Sequence, residues 1–471
     1  MNLTLRTSTV FVYLTAMVTL PMPLAVAEIN QVAATSRKPN VVIFLTDDQG
    51  TLDVNCYGST DLYTPAIDKL AETGVRFTQA YAHYVCCPTR AMLLTGRYPH
   101  RGSVLSWTQG DAKWSGGKGR NMHLEEITIA EVLKDAGYRT GMFGKWHLGA
   151  HRDHGPTRQG FDEYFGNRGG FIHNYNHYFL HGKGFHDLYE GTEEVFAPGE
   201  YYPDLITKRA IQFVDKNKDA PFFMYVAFNL PHYPEQGDSK FDERYKDVPM
   251  PRQSYAKVVS TVDDHMGQIV GRLKKLGLRE NTIVIFMSDN GHSVEDYQIN
   301  VDNHSSGLPK GTNYGANGGG GNTGKWRGHK AEFYEGGIRV PAIISWPAKI
   351  PKGVVRDQAI TAMDWLPTIV ELCGIDPPSS KVDGQSIVPI INLQSAPTHN
   401  KVMHWAWQAF WAVREGEWKL ISTVGNNRQL VNLNDPEPEK KNYIKERPEI
   451  ADGFQALHDA WAKETNYKSP W

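Results

Sequence analysis

The feature that most constrains this chain is an alternation: short β-rich runs take turns with segments of helical period along most of its length. Val41–Thr46 reads as a buried strand and ends in Asp47-Asp48. Thr64–Thr73 places apolar residues at helical spacing and stops at Gly74, and Ile127–Ala136 repeats the pattern before Gly137. Gly141–Gly144 reads as the end of the strand that follows. Further helix–strand pairs come at 206–217 then 222–228, and at 255–276 then 282–287. Such alternation predicts an α/β fold, a mostly parallel sheet sandwiched by helices. Ligands of these sheets gather at the carboxyl ends of the strands, where distant loops converge. The polar clusters fall at those places: Asp47-Asp48, Lys145 with His147, His232, and Asp289-Asn290. Their coincidence predicts a single site.

After about residue 395 the character changes to short runs at 411–414, 418–422 and 429–433, then a helical pattern from Ile450 to Glu464. This reads as a smaller antiparallel sheet with a helix. A chain of 471 residues exceeds the size at which one core usually stops growing. The expected division is therefore a main domain over 28–394 and a C-terminal subdomain over 395–471. Gly315–Gly324, with four consecutive glycines, reads as a flexible surface loop.

Lys and Arg number 50 against 52 Asp and Glu, a formal charge of -2, so no long-range field marks a nucleic-acid binder. Any anion recognition must be local. Residues 1–27 read as a signal peptide: Arg6, an apolar Val10–Leu20, and Ala25-Val26-Ala27 as a small-x-small cleavage site. The competing reading, a membrane anchor, meets a short apolar run broken by Pro21 and Pro23. A periplasmic or secreted location follows, with no membrane span after cleavage. Four cysteines, Cys56, Cys86, Cys87 and Cys373, make no disulfide framework for a chain this long. Cys373 reads as a buried core thiol.

Cys86-Cys87-Pro88-Thr89-Arg90, continuing to Leu94-Thr95-Gly96, puts a sulfur, a rigid proline and a fixed cation at the start of a helix. Local chemistry alone leaves an activated thiol and an inert buried cysteine both open. The string resembles the signature of the type I sulfatases, Cys-x-Pro-Ser/Thr-Arg followed by Leu-Thr-Gly, of the alkaline-phosphatase-like superfamily. The resemblance implies that Cys86 is oxidised to formylglycine by a formylglycine-generating or sulfatase-maturating enzyme. It also implies that the hydrated aldehyde attacks sulfur, and that the sulfated gem-diol then expels sulfate.

Further blocks extend the resemblance along nearly the whole chain past the leader. Asp47, Asp48, Asp289 and Asn290 match the family's calcium ligands, with Cys86 completing the set; hard oxygen donors suit Ca²⁺. Gly144-Lys145-Trp146-His147 implies Lys145 as a sulfate-binding cation and His147 as partner of the nucleophile. Pro231-His232-Tyr233-Pro234 implies His232 beside the departing oxygen. Lys330, five residues before Glu335-Gly336-Gly337, matches a sulfate-contacting lysine, which Arg90 and Lys145 would join. The family's serine near the nucleophile has no match in Gly166–Asn174. The loop between Asp289 and Lys330 is long, and its His292, His304 and Lys310 read as exposed.

Two patterns are set aside. Gly319–Lys325 has Gly-x-x-x-x-Gly-Lys spacing, but Trp326 replaces the required Ser or Thr. Asp263-Asp264-His265 falls inside a helical pattern and reads as a solvated face. Two rival functions remain at this stage: a phosphatase or phosphodiesterase with two zinc ions, and a non-catalytic binder of sulfated glycans. The implied function is hydrolysis of sulfate esters on a sulfated polysaccharide or its oligosaccharides. Trp405, Trp407, Phe410 and Trp411 suit sugar stacking or ordinary packing.

Overall fold

The computed structural model describes Met1 and residues 37–102, 104–106, 121–423 and 427–468. Apart from Met1, the segment read as a signal peptide, residues 1–27, lies outside the described residues. Lys38–Trp471 form one compact unit.

The first strand, Asn40–Asp47, is the middle of the large sheet, and every residue in it is buried. Thr282–Ser288 flanks it on one side and Phe222–Pro231 on the other, both parallel. Arg139–Gly144 and Glu163–Gly166 continue the parallel run beyond Phe222–Pro231. On the other side the order turns antiparallel through Arg339–Ser345 to Val75–Tyr81. The two-residue period of a strand explains why one apolar run serves two cores. Val41, Ile43 and Leu45 enter one hydrophobic cluster, with Met92 and Leu93 of helix Cys86–Thr95 and Leu366 of helix Trp365–Cys373. Val42 and Phe44 enter the other, with Ile206 of helix Tyr202–Asn217 and Val262 of helix Arg252–Lys275. Each such side chain contributes roughly 1.5–3 kcal/mol on burial, so this strand is a firm platform for whatever follows it.

Parallel register then decides what meets at the sheet edge. Thr46 lies opposite Ser288, and Asp47 opposite Pro231. Gly144 lies opposite Ala227, on the neighbouring strand. The residues just past these pairs are Asp48, Asp289, His232 and Lys145, so all four emerge on one edge.

Four antiparallel strands, Val402–Trp407, Phe410–Glu415, Trp418–Thr423 and Asn427–Asn432, pair in chain order, and helix Pro448–Glu464 follows. Trp405 and Trp411 are buried in this packing, and the Trp405 indole N–H donates to the Ala82 carbonyl at 2.8 Å. Among the described residues no helix is long and apolar enough to cross a membrane.

Three expectations need correction. The glycine-rich segment is packed: Asn313–Asn317 is a strand paired with Asp296–Gln298. A Cβ on Gly320 would stand 2.4 Å from that of Tyr255, and one on Gly321 2.1 Å from that of His292. Here glycine is required by close approach. Asp263 is buried as well, and its carboxylate accepts from the Ala66 and Ile67 N–H groups at 3.0 and 2.8 Å. It caps the start of helix Pro65–Glu72, a role invisible in its own helix's periodicity. His304 is likewise buried, its Nδ1 at 2.7 Å from the Ser306 hydroxyl.

Candidate active site

The first strand ends by folding back on itself, because Asp48 adopts a left-handed φ of 65°. Its N–H donates to Asp289 Oδ1 at 3.2 Å, while the Asp289 N–H donates to the Thr46 carbonyl at 3.1 Å. This reciprocal pair locks the two acidic strand ends together. Asn290 Nδ2 donates to Asp48 Oδ1 at 2.7 Å. Asp47, Asp48, Asp289 and Asn290 therefore share one buried patch, none more than 1% exposed.

Cations surround that patch. Lys145 Nζ donates to Asp47 Oδ2 at 2.5 Å. Arg90 Nε and Nη2 both donate to Asp289 Oδ2, at 3.1 and 2.7 Å, and Nη1 donates to the Lys145 carbonyl at 2.9 Å. Arg90 thus holds the floor together and has no exposed surface. Lys330 Nζ reaches Asp48 Oδ2 at 2.8 Å and Glu295 Oε2 at 3.2 Å. Ala331, which follows it, has a φ of 72°, and its N–H donates to the Tyr84 carbonyl at 2.8 Å. Asp48, His147 and Ala331 are all non-glycine residues held at positive φ, a strain characteristic of functional sites.

Cys86 is the first residue of helix Cys86–Thr95, with extended Val85 before it. Its Sγ lies 3.2 Å from His147 Nδ1. The Cys87 thiol, Lys145 and His147 together lower the Cys86 pKa well below the ordinary thiol value, while burial raises that of Cys87 well above it. The adjacent cysteines thus differ because the buried Cys87 thiol donates to Cys86, which also meets His147. Burial lowers the pKa of His147 and, helped by Lys330 and Lys145, that of His232. The Tyr233 carbonyl is 2.6 Å from His232 Nδ1, so Nδ1 carries the proton and Nε2 faces Asp48 Oδ2 at 3.7 Å.

The residues present suit a metal ion. Asp47 Oδ1 and Asn290 Oδ1 are buried with no hydrogen-bond partner, an expensive state for such atoms. Donor atoms of Asp47, Cys86 and Asp289 lie within 4.8 Å of one another, as do those of Asp47, Asp48 and His232. Burial raises the pKa of Asp47 and of Asp48, the latter to about 7, with Asp289 as a neighbouring negative charge. Three carboxylates this close need further positive charge.

Above the floor opens a cavity of about 390 Å³. Cys86, His147, His232 and Lys330 face it from below. Phe171, His181, Tyr233, Glu295 and Tyr297 form much of its wall. Of these wall residues only Tyr233 belonged to a motif. Phe171 falls in the stretch where no serine could be matched, and a Cβ on its neighbour Gly170 would stand 3.1 Å from the His147 ring. His292, His304 and Lys310 are not among the described residues lining the cavity.

A family model described as Sulfatase matches residues 39–375, well over half of the chain. A second, described as N-sulphoglucosamine sulphohydrolase, C-terminal, matches residues 324–466. Mouse (Mus musculus) arylsulfatase J is 31% identical over 83% of this chain, which spans 65% of that protein. N-acetylgalactosamine-6-sulfatase of Sus scrofa is 31% identical over 82% of this chain and 72% of its own length. The structure of Ps i-CgsB in complex with k-i-k-neocarrahexaose is similar with a TM-score of 0.78 at 29% identity, covering 92% of this chain and 95% of that one. With the α/β architecture and the converging strand-end residues, these likenesses place the chain in the sulfatase family of sulfuric ester hydrolases, on an alkaline-phosphatase-like fold.

Proposed function

We propose that this protein hydrolyses sulfate esters of a sulfated carbohydrate, using formylglycine made from Cys86 as nucleophile and calcium held by Asp47, Asp48, Asp289 and Asn290. The observation that carries the reading is the meeting of Cys86, Lys145, His147, His232 and Lys330 around three buried carboxylates, open on one side to a cavity. Oxygen donors with two unpartnered atoms favour a hard cation, and argue against the two-zinc alternative with its additional histidine ligands. Bound there, calcium would supply positive charge that polarises a sulfate oxygen.

The chain's own residues do the rest. Lys330, at the cavity, holds a sulfate oxygen; Lys145 adds positive charge from beneath the floor through its bond to Asp47, and Arg90 fixes Asp289 and the Lys145 backbone in position. His147 orients the nucleophile and takes its proton during release of sulfate. His232 presents Nε2 to the departing oxygen, and once that atom has taken up a proton it passes it to the leaving alcohol. The substrate class is supported by the neocarrahexaose bound in one similar structure, by the name of a relative, N-acetylgalactosamine-6-sulfatase, and by the aromatic wall of the cavity.

Export by the signal over 1–27 to the periplasm or beyond, and maturation by a formylglycine-generating or sulfatase-maturating enzyme, complete the reading. The catalytic domain spans 28–394 and the subdomain 395–471. Mass spectrometry of the peptide containing Cys86 from active protein tests it: conversion of thiol to aldehyde removes roughly 18 Da. An unmodified thiol in fully active protein would refute the mechanism.

A further inference from the structure

We propose that Glu295 sets the permitted charge of the substrate: the sugar subsite takes a ring bearing the scissile sulfate and no second anionic group, with the Glu295 carboxylate accepting from a neutral ring hydroxyl. The inference rests on the sulfated-carbohydrate reading above.

Among the described residues lining the cavity, Lys330 is the only lysine or arginine and Glu295 the only carboxylate. Lys330 is already shared between Asp48 and Glu295. Arg90 and Lys145 lie beneath the floor without exposed surface, committed to Asp289 and Asp47. His329, at the rim, has Nδ1 at 2.9 Å from the Lys330 carbonyl and Nε2 at 3.8 Å from Glu332. Burial holds His181 neutral, its pKa lowered to about 4. A second sulfate or a uronate on the ring would therefore find no spare cation.

It would find a fixed negative charge instead. Ser293 Oγ donates to Glu295 Oε2 at 2.7 Å and accepts from the Glu295 N–H at 3.1 Å. Lys330 also uses Oε2, so Oε1 takes neither of these bonds, and the Tyr297 hydroxyl is a further side-chain partner of the carboxylate. The side chain keeps 30% of its exposure and remains within reach of a ligand. Burial works against ionisation, but Lys330 and Ser293 outweigh it and keep the group a carboxylate. A carboxylate accepts hydroxyl donors and repels anions, and repulsion in a partly buried cleft is weakly screened.

The remaining wall agrees with that selectivity. Phe171 stacks near His232 with centroids 5.2 Å apart, and Tyr297 meets His181 edge-on at 5.0 Å. Aromatic faces carry the negative side of the ring quadrupole, which favours the C–H face of a neutral pyranose and disfavours a second anion.

The test compares kcat/KM for pairs of substrates on one ring: monosulfated galactose, N-acetylgalactosamine and fucose esters, each against its disulfate. Wild-type protein with Cys86 conversion verified by mass should prefer the monosulfate by about tenfold or more, mainly through KM. Glu295→Gln should narrow that ratio about tenfold, because the amide retains a hydrogen-bond acceptor without the charge. Loss of the Lys330 contact alone would lower both members of a pair alike and leave their ratio unchanged. Tyr297→Ala should raise KM for both members equally. An unchanged ratio in Glu295→Gln, or a wild-type preference for disulfates, overturns the proposal. Turnover of 4-nitrophenyl sulfate with none of the sugar esters would overturn the subsite and leave the sulfatase reading standing. No turnover of any ester by fully converted protein would overturn both.

Discussion

Asp47 and Glu335 are both carboxylates without exposed surface, each paired with a fully buried lysine, yet their surroundings push them in opposite directions. Glu335 sits in a closed network. Its Oε1 receives Lys419 Nζ at 3.0 Å, and Oε2 receives Tyr81 Oη at 2.7 Å and Arg339 Nη1 at 3.1 Å. Lys419 also reaches Glu439 at 2.9 Å, and Glu439 accepts the Glu335 N–H. Burial opposes ionisation, but Lys419, Arg414 and Arg339 prevail and draw the Glu335 pKa down to about 2. Asp47 has Lys145 beside it, yet burial and Asp289 prevail, and Oδ1 stays unpartnered. One cluster joins the C-terminal sheet to the Glu335-Gly336-Gly337 turn and is complete as it stands. The other is built to be completed by something else. Buried charge marks function only where the bonding is left unfinished.

The sharpest way to separate the clusters is Cys86→Ser. With the serine shown by mass to be unconverted, it should reduce turnover about a thousandfold or more, since a sulfated serine has no second hydroxyl to expel sulfate, while the thermal midpoint moves little. A variant retaining a tenth of wild-type activity would break the assignment of Cys86 to the incomplete cluster. Lys419→Met attacks the complete one. It leaves Glu335 and Glu439 buried face to face, and urea unfolding should show a loss of about 3–5 kcal/mol. A loss below about 1 kcal/mol would mean that this network is not the structural joint described here.

Chelation should distinguish them again. Removing calcium from wild-type protein should abolish turnover and lower stability by about 2–4 kcal/mol, as expected for a ligand present at 100 to 1,000 times its Kd. The deficit from Lys419→Met should add to that loss, because the clusters are separate. Unchanged stability on exhaustive chelation would sink the metal reading.

The smallest effect concerns pH. Burial raises the Glu439 pKa to about 7, above the ordinary value of 4.5. Between these values the unfolded chain has lost a proton that the folded chain keeps, so stability from this residue falls as pH rises from about 4.5 to about 7. Glu335 acts in the opposite sense: its depressed pKa gives stability that is lost as pH falls from about 4.5 towards 2. Glu439→Gln should flatten the first slope and leave the second. Unfolding free energies at pH 5 and pH 7 would decide it, and an unaltered slope would show that Glu439 is not the titrating group.

Much of the fold was legible because strand and helix periods are local properties. The pattern at 255–276 lies within helix Arg252–Lys275 to a residue, and that at 282–287 within strand Thr282–Ser288. The misreadings share one cause. Asp263 looked solvated because its own helix cannot announce that another helix begins against it. The glycine run looked flexible because sequence does not reveal the Tyr255 and His292 side chains pressed upon Gly320 and Gly321. Glu295, Phe171, His181 and Tyr297 carried no motif, since a cavity wall is assembled from whatever distant loops happen to face it.

By itself, the sequence determined which strands end in charged residues, and so which groups a parallel sheet must bring to one edge. Parallel pairing aligns those ends whatever the connecting helices contain. Only the tertiary structure decided that Arg90 turns inward to Asp289 and that Cys86, not Cys87, lines the cavity beside His147. It alone left one oxygen each on Asp47 and Asn290 unsatisfied. Those outcomes depend on direction and distances of a few ångströms, and electrostatic and hydrogen-bond energies change steeply over that range.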